Sequence, residues 1–224
     1  MTNPASTSIA LIMAAGASRR FGVDDKRLAT LPDGRRLLAA TVALVATAFP
    51  ALRVVLREDD DPLALGLSSD TPVIRAAHAS AGLAASISDA FHALQADDDL
   101  IDVQAAAILL GDMPALRPET LEALQRRITS QCIVRPVQAG RPGHPVLFGR
   151  AFWPELAALG GEKGGEGNGQ EGFEEEREEQ GENRKDEGAR SVIRANREHA
   201  IELAVDDPGI HLDIDHSSDL RRLS

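Results

Sequence analysis

The chain has 224 residues, enough for one large domain that buries roughly 70% of the surface its unfolded form exposes. Lysine and arginine total 24 against 35 aspartate and glutamate; the resulting net charge of −11 argues against a nucleic-acid duplex as partner, since phosphate-backbone binding needs a basic face. A single cysteine, Cys132, excludes an internal disulfide and any multi-cysteine zinc site, and its apolar setting predicts a small core residue. Met1 to Ser8 carries no basic leader region, so a cytoplasmic location without a secretory signal is expected. Ile9 to Ala14 is a short apolar run ending in Gly16, the pattern of a buried strand. Leu37 to Phe49, closed by Pro50, has the length of a buried helix and is too short to span a bilayer. Arg53 to Arg57 and Pro72 to Ala76 read as strands. Gly82 to Gln95 predicts a helix with Leu83, Ile87, Phe91 and Leu94 on one face. Ala105 to Leu110 is a strongly apolar strand ending at Gly111-Asp112, and Pro118 to Ile128 is a helix opened by proline. Ile133 to Val137 and Pro145 to Phe148 are further short strands. Strands alternating with helices predict one domain over residues 1–224, with a mostly parallel sheet covered by helices on both faces.

The charge is unevenly placed. Residues 161–188 hold ten glutamates, one aspartate and four basic residues, with 8 of the chain's 19 glycines and Phe173 as the sole bulky apolar side chain. Such a stretch cannot bury enough apolar surface to offset the entropy of ordering it. Residues 161–185 are therefore expected to be a disordered acidic insertion within the domain.

In open parallel sheets, ligands bind beyond the carboxyl ends of the strands. The first predicted strand runs into Ala14, Ala15, Gly16, Ala17, Ser18, Arg19, Arg20 and Gly22, with Lys26 four residues further on. Small residues let backbone N–H groups approach an anion, and the basic side chains supply charge beside that cradle. Neither the Walker A pattern nor the dinucleotide fingerprint is present, and a plain strand-to-helix turn with surface arginines fits the same residues. The Ala105–Leu110 strand delivers Asp112, placed to hold Mg²⁺ or, equally in type, to cap the helix that follows. Alternation in His211 to Asp215 predicts a strand with Asp213 and Asp215 on one face. No His or Cys partner stands at zinc-ligand spacing from His144.

Together these segments resemble the molybdopterin nucleotidyltransferases, and most closely the molybdenum cofactor cytidylyltransferases. The resemblance runs through Ile9 to Lys26, Gly111-Asp112-Met113-Pro114, Pro142 to Phe148, Asp186 to Arg190 and Asp213-Ile214-Asp215. The chain departs from the pattern at His216-Ser217-Ser218 and at Lys185, where a glycine is usual. What the resemblance implies is a Rossmann-like three-layer α/β/α nucleotidyltransferase domain. It would move CMP from CTP onto the terminal phosphate of molybdopterin and release pyrophosphate. Arg20, Lys26 and Asp112 would be catalytic, with Mg²⁺ on Asp112 and Asp215. Ala14 to Gly22, Lys26, Gly82, Ser86 and Asp112 would bind the nucleotide. Gly143, His144, Pro145, Asp186, Gly188 and Arg190 would face the acceptor. A recipient molybdoenzyme or its chaperone is the implied protein partner; no membrane partner is expected.

The residue pattern also admits a GTP-using or sugar- or alcohol-phosphate transferase, an NAD(P)H oxidoreductase on the same scaffold, or a non-catalytic cofactor carrier. Ala15, where guanylyltransferases usually show a second glycine, favours the cytidylyl reading. The presence of Lys26 and Asp112 favours transfer over redox chemistry.

Overall fold

The computed structural model describes residues 8–16, 25–160, 188–214 and 219–220. The α-helices among the described residues are α1 (Leu37–Ala48), α2 (Leu83–Ala96), α3 (Pro118–Gln125), α4 (Trp153–Ala157) and α5 (Gly188–Ala195). The strands are β1 (Ser8–Met13), β2 (Ala51–Arg57), β3 (Val73–Ala76), β4 (Ala105–Leu110), β5 (Ile133–Gln138), β6 (Arg141–Pro142), β7 (Val146–Gly149) and β8 (Ala200–Ala204).

The strands form one sheet in the order β3-β2-β1-β4-β7-β5-β6, with β8 paired to β5. β3, β2, β1 and β4 are mutually parallel, β7 runs antiparallel between β4 and β5, and β8 is parallel to β5. The mostly parallel sheet expected from the alternation is therefore present, with β6 and β7 as its antiparallel members.

Side-chain alternation along the central strands builds the layers. Ile9, Leu11 and Met13 of β1 pack with Ile87, Phe91 and Leu94 of α2, Trp153 and Leu156 of α4, and Val192 and Ile193 of α5. Ala10, Ile12 and Ala14 face the other way, onto Leu38 and Val45 of α1 and Leu121 and Leu124 of α3. β4 divides in the same manner, Ile108 to one face and Leu109 to the other. Small alanines on β4 let both helix layers close on a central strand that is buried along almost its whole length. Trp153 is fully buried, stacks edge-on against Phe91 and donates its indole N–H to the Phe148 carbonyl. Cys132 is buried, as its setting predicts.

The parallel register matters most for function. Met13 lies opposite Val55 and Leu110, so the segments after β1, β2, β3 and β4 leave the sheet at one edge.

Of the strand predicted over His211–Asp215, the described part, His211–Ile214, is not a strand. Residues 208–211 make a short 3₁₀ turn opened by Pro208, with Asp207 accepting from Gly209 N, and 212–214 are irregular. Ile210 N and Leu212 N donate within the turn, to the Asp207 and Gly209 carbonyls, while the Ile210 carbonyl accepts from His144 N and Ile214 N donates to the Asp112 carbonyl. Gly188 to Arg190 open α5. β8 and α4 carry no clear local signal: Ala-Ile-Glu-Leu-Ala suits a helix as well as a strand, and pairing with β5 decides it. Among the described residues no helix is long and apolar enough to cross a membrane.

Candidate active site

The shared strand edge opens into a cavity of about 1690 Å³, larger than the roughly 300–1,000 Å³ typical of a site for one small ligand. Its floor begins at β1, whose exit is tied down on both sides: Ala14 N donates to the Val55 carbonyl, and Gly111 N donates to the Met13 carbonyl. Ala14, Ala15 and Gly16 line the wall.

The next described segment presents Lys26. Asp25 caps the 3₁₀ turn Lys26–Leu28 by accepting from Arg27 N at 3.0 Å. The Arg27 guanidinium, only 6% exposed, binds both oxygens of Asp25, both oxygens of Asp60 and the Ala14 carbonyl at 2.9 Å. One buried cation thus fastens together the β1 exit, the Lys26 turn and the segment after β2. Burial alone would raise the Asp25 and Asp60 carboxyls, but hydrogen bonds from Arg27 outweigh it and hold both below the ordinary carboxylate range.

Held in this way, Lys26 places its Nζ 2.5 Å from Asp112 Oδ2 at the end of β4. Asp112 is 8% exposed, and its Oδ1 is buried with no hydrogen-bond partner. Burial pushes its carboxyl upward; Lys26 opposes that shift and Asp213 adds to it. The carboxylate caps nothing: α3 starts at Pro118 with Arg117 in the cap position. An uncapping, half-paired carboxylate at the end of the most apolar strand is what a ligand or cation would complete. Among the described residues no three His, Cys, Asp or Glu side chains gather around a metal position. A cation here would take one or two carboxylates and fill its remaining positions from phosphates and water, the usual habit of Mg²⁺. Asp112 Oδ1, with Asp213 on the same cavity, fits that demand.

On one flank, Gly82 sits at φ 114° before α2, a conformation that excludes most side chains, and the Ser86 hydroxyl donates back to its carbonyl. Both residues line the cavity. On the other flank, Gly143 N donates to the Pro136 carbonyl and His144 N to the Ile210 carbonyl. A Cβ on Gly143 would stand 2.5 Å from that Ile210 oxygen, so glycine is required for the two segments to meet. Burial, reinforced by Arg190 and His211, lowers the His144 pKa, leaving a neutral imidazole whose covered Nδ1 has no partner.

Of the residues singled out from the sequence, the cavity gathers Ala14, Ala15, Gly16, Lys26, Gly82, Ser86, Asp112, Gly143, His144, Arg190 and Asp213. Pro145 and Gly188 are buried behind its wall rather than on it. Ala17, Ser18, Arg19, Arg20, Gly22, Asp186 and Asp215, with the 161–185 insertion, lie outside the described residues. Sequence reasoning missed Arg27, Arg57, Arg135, Arg141, Arg194, Arg197 and the cavity position of His211. Only the i, i+4 spacing of Arg190 and Arg194 left a readable signal.

Five buried side-chain atoms among the described residues lack hydrogen-bond partners: Arg57 Nε, Asp112 Oδ1, Arg135 Nε, His144 Nδ1 and His211 Nε2. All five residues line this cavity. Interior polar groups are nearly always paired, so their convergence marks a place built to be filled by polar ligands.

Residues 10–176 match the MobA-like NTP transferase domain. Among solved structures, Rv0371c from Mycobacterium tuberculosis is 27% identical, with 98% of each chain covered and a TM-score of 0.71. Rv0371c has also been solved in complex with manganese. A nucleotidyl transferase from Methanothermobacter shares the fold at 20% identity, covering 97% of this chain and 95% of its own, with a TM-score of 0.67. The bifunctional protein GlmU of Acidiphilium cryptum is 28% identical over 145 residues, 65% of this chain, which spans about a third of that protein's length (31%). With a domain match across most of its length and a strand-end cavity carrying paired Lys26 and Asp112, the chain belongs to the MobA-like NTP transferase family.

Proposed function

We propose that the protein is a cytidylyltransferase that moves CMP from CTP onto the terminal phosphate of molybdopterin. The observation that carries this reading is the Lys26–Asp112 pair at the meeting point of β1 and β4, with small residues on one side and Gly143-His144 on the other. The cavity volume suits two ligands side by side.

In this reaction a phosphate oxygen of the acceptor bonds to the α-phosphorus of CTP. The bond from that phosphorus to the β-phosphate bridge breaks, and pyrophosphate departs with the electron pair. The attacking phosphate has a second pKa of about 6 and is mostly dianionic at neutral pH, so no general base is required. The protein's task is alignment and charge neutralisation. Lys26 supplies an ammonium for the phosphates, and the backbone N–H groups of Ala15 and Gly16 supply a close-fitting neutral surface. Neutral His144 offers a hydrogen bond to the acceptor without adding charge. Mg²⁺, held by Asp112 with Asp213 or Asp215, would neutralise charge developing between the α- and β-phosphates. Arg19 and Arg20 are assigned to the same phosphates, and Gly82 and Ser86 to the base and ribose side.

Ala15 favours CTP over GTP. Competition between the two nucleotides for transfer onto molybdopterin, with the product's nucleoside identified, tests the assignment. A guanine-containing product overturns the cytidylyl reading and leaves the transfer chemistry in place. Failure of both nucleotides to yield pyrophosphate with molybdopterin overturns the acceptor.

A further inference from the structure

The two ends of the cavity differ in charge. At the β1 end every described cation is matched: Lys26 by Asp112, Arg27 by Asp25 and Asp60, and Arg57 by Asp60 at 3.5 Å. At the β5 end, among the described residues, the cavity is lined by five arginines and two carboxylates, Glu202 and Asp213, with Arg194 already engaged by a partner of its own. Arg135 is paired with Glu202, yet its Nε is a buried donor without an acceptor. Arg141, on the short strand β6, and Arg197, just past α5, make no ion pair among the described residues. Arg190, Arg194 and Arg197 fall at i, i+4 and i+7. Arg190 and Arg194 lie about one turn apart on α5, and Arg197 follows in the 3₁₀ turn Arg197–His199 after Asn196 breaks the helix. Like charges that line a cavity raise the local concentration of anions. Guanidinium forks are suited to bidentate oxyanions.

One attacking phosphate needs only the cations at the reaction centre, beside Lys26. We infer that the acceptor carries a second anionic group, remote from the phosphate that attacks, and that Arg141 and Arg197 hold it. The inference rests on the nucleotidyl-transfer reading only in naming the occupant of this end the acceptor.

The test uses the full-length protein and calorimetry with methylphosphonate and α,ω-alkane bisphosphonates of about two to eight carbons. Titrations are run with and without α,β-methylene CTP. The best-fitting bisphosphonate is expected to bind at least about tenfold tighter than methylphosphonate. Arg141→Gln/Arg197→Gln, two exposed positions whose change leaves the core untouched, is expected to abolish that advantage. Methylphosphonate and CTP-analogue affinities should stay within about twofold, and Arg141→Lys/Arg197→Lys should keep part of the advantage. In transfer onto molybdopterin, the Gln variant should raise the acceptor KM about tenfold with little change in kcat. A bisphosphonate advantage that is missing at every length, or that survives in the Gln variant, overturns the inference. So does loss of CTP-analogue binding in that variant, which would assign the arginines to the triphosphate. An advantage seen in a protein that does not bind the CTP analogue supports the dianion site and overturns the nucleotidyl reading instead.

Discussion

Arg27→Met removes the cation that joins three chain segments beneath the cavity. The guanidinium donates to Asp25 at 2.6, 2.9 and 3.0 Å, to Asp60 at 2.5 and 2.8 Å and to the Ala14 carbonyl at 2.9 Å. Methionine fills similar volume but leaves two carboxylates, with side chains 26% and 10% exposed, holding one backbone N–H each (residue 27 N on Asp25, Arg57 N on Asp60) and the Arg57 guanidinium at 3.9 and 3.5 Å. Removing one partner of a buried ion pair costs about 3–5 kcal/mol; the partial exposure of Asp25 and the residual charge of Arg57 reduce this to about 2–4 kcal/mol. For a domain of this size, that is a fall in Tm of roughly 5–15 °C at pH 7. The pH dependence has a definite sign. In the native protein both carboxyls titrate below 3.8, so their contribution is present above that pH and is lost as the pH falls through the lowered values. In the variant, burial acts unopposed by Arg27, both carboxyls shift upward, and protonation relieves the unpaired charge. The stability gap between the two proteins should therefore narrow from pH 7 to pH 4. Urea and thermal melts of wild type, Arg27→Met and Arg27→Lys across that range measure it, with the lysine variant recovering less than half the loss. A gap below about 1 kcal/mol at pH 7, or one that widens toward pH 4, would refute the reasoning.

Asp112→Asn keeps the side chain's shape but removes its charge; Mg²⁺-dependent pyrophosphate release should fall by roughly 10²-fold or more while the melting curve moves little, and full activity sinks the metal assignment. Gly143→Ala sets a Cβ 2.5 Å from the Ile210 oxygen and 2.7 Å from Ile210 Cγ1. The segment carrying Asp213 must then move, so kcat for transfer should drop well beyond any change in CTP affinity measured by calorimetry. Equal losses in both would point to general misfolding. Replacing residues 161–185 with a short Gly/Ser linker should leave Tm and CTP binding unchanged, because that stretch offers one bulky apolar side chain to any core. A loss of several degrees in a thermal scan contradicts that reading.

The layers of this protein are written locally. β1 and β4 are apolar runs of strand length, and α2 repeats Ile87, Phe91 and Leu94 at helical spacing, so each element announces its own buried face. The same local logic marks the site's center: small residues after one strand and a carboxylate after another, both at carboxyl ends where parallel sheets bind ligands. Lys26 and Asp112 could be singled out from the sequence, but not their 2.5 Å contact across 86 positions. What the sequence could not announce depends on partners far along the chain. Ala-Ile-Glu-Leu-Ala becomes β8 because it pairs along β5, and His211 to Ile214 is not a strand because residues 208–211 close into a 3₁₀ turn. Arg27 looks like a surface arginine until Asp60, 33 residues away, closes on it. The uneven charge of the cavity arises only when β6, α5 and β8 bring their arginines to one end. Periodicity records which face of an element is buried; it holds no record of which distant group that face will meet, and electrostatic complementarity is set by those meetings.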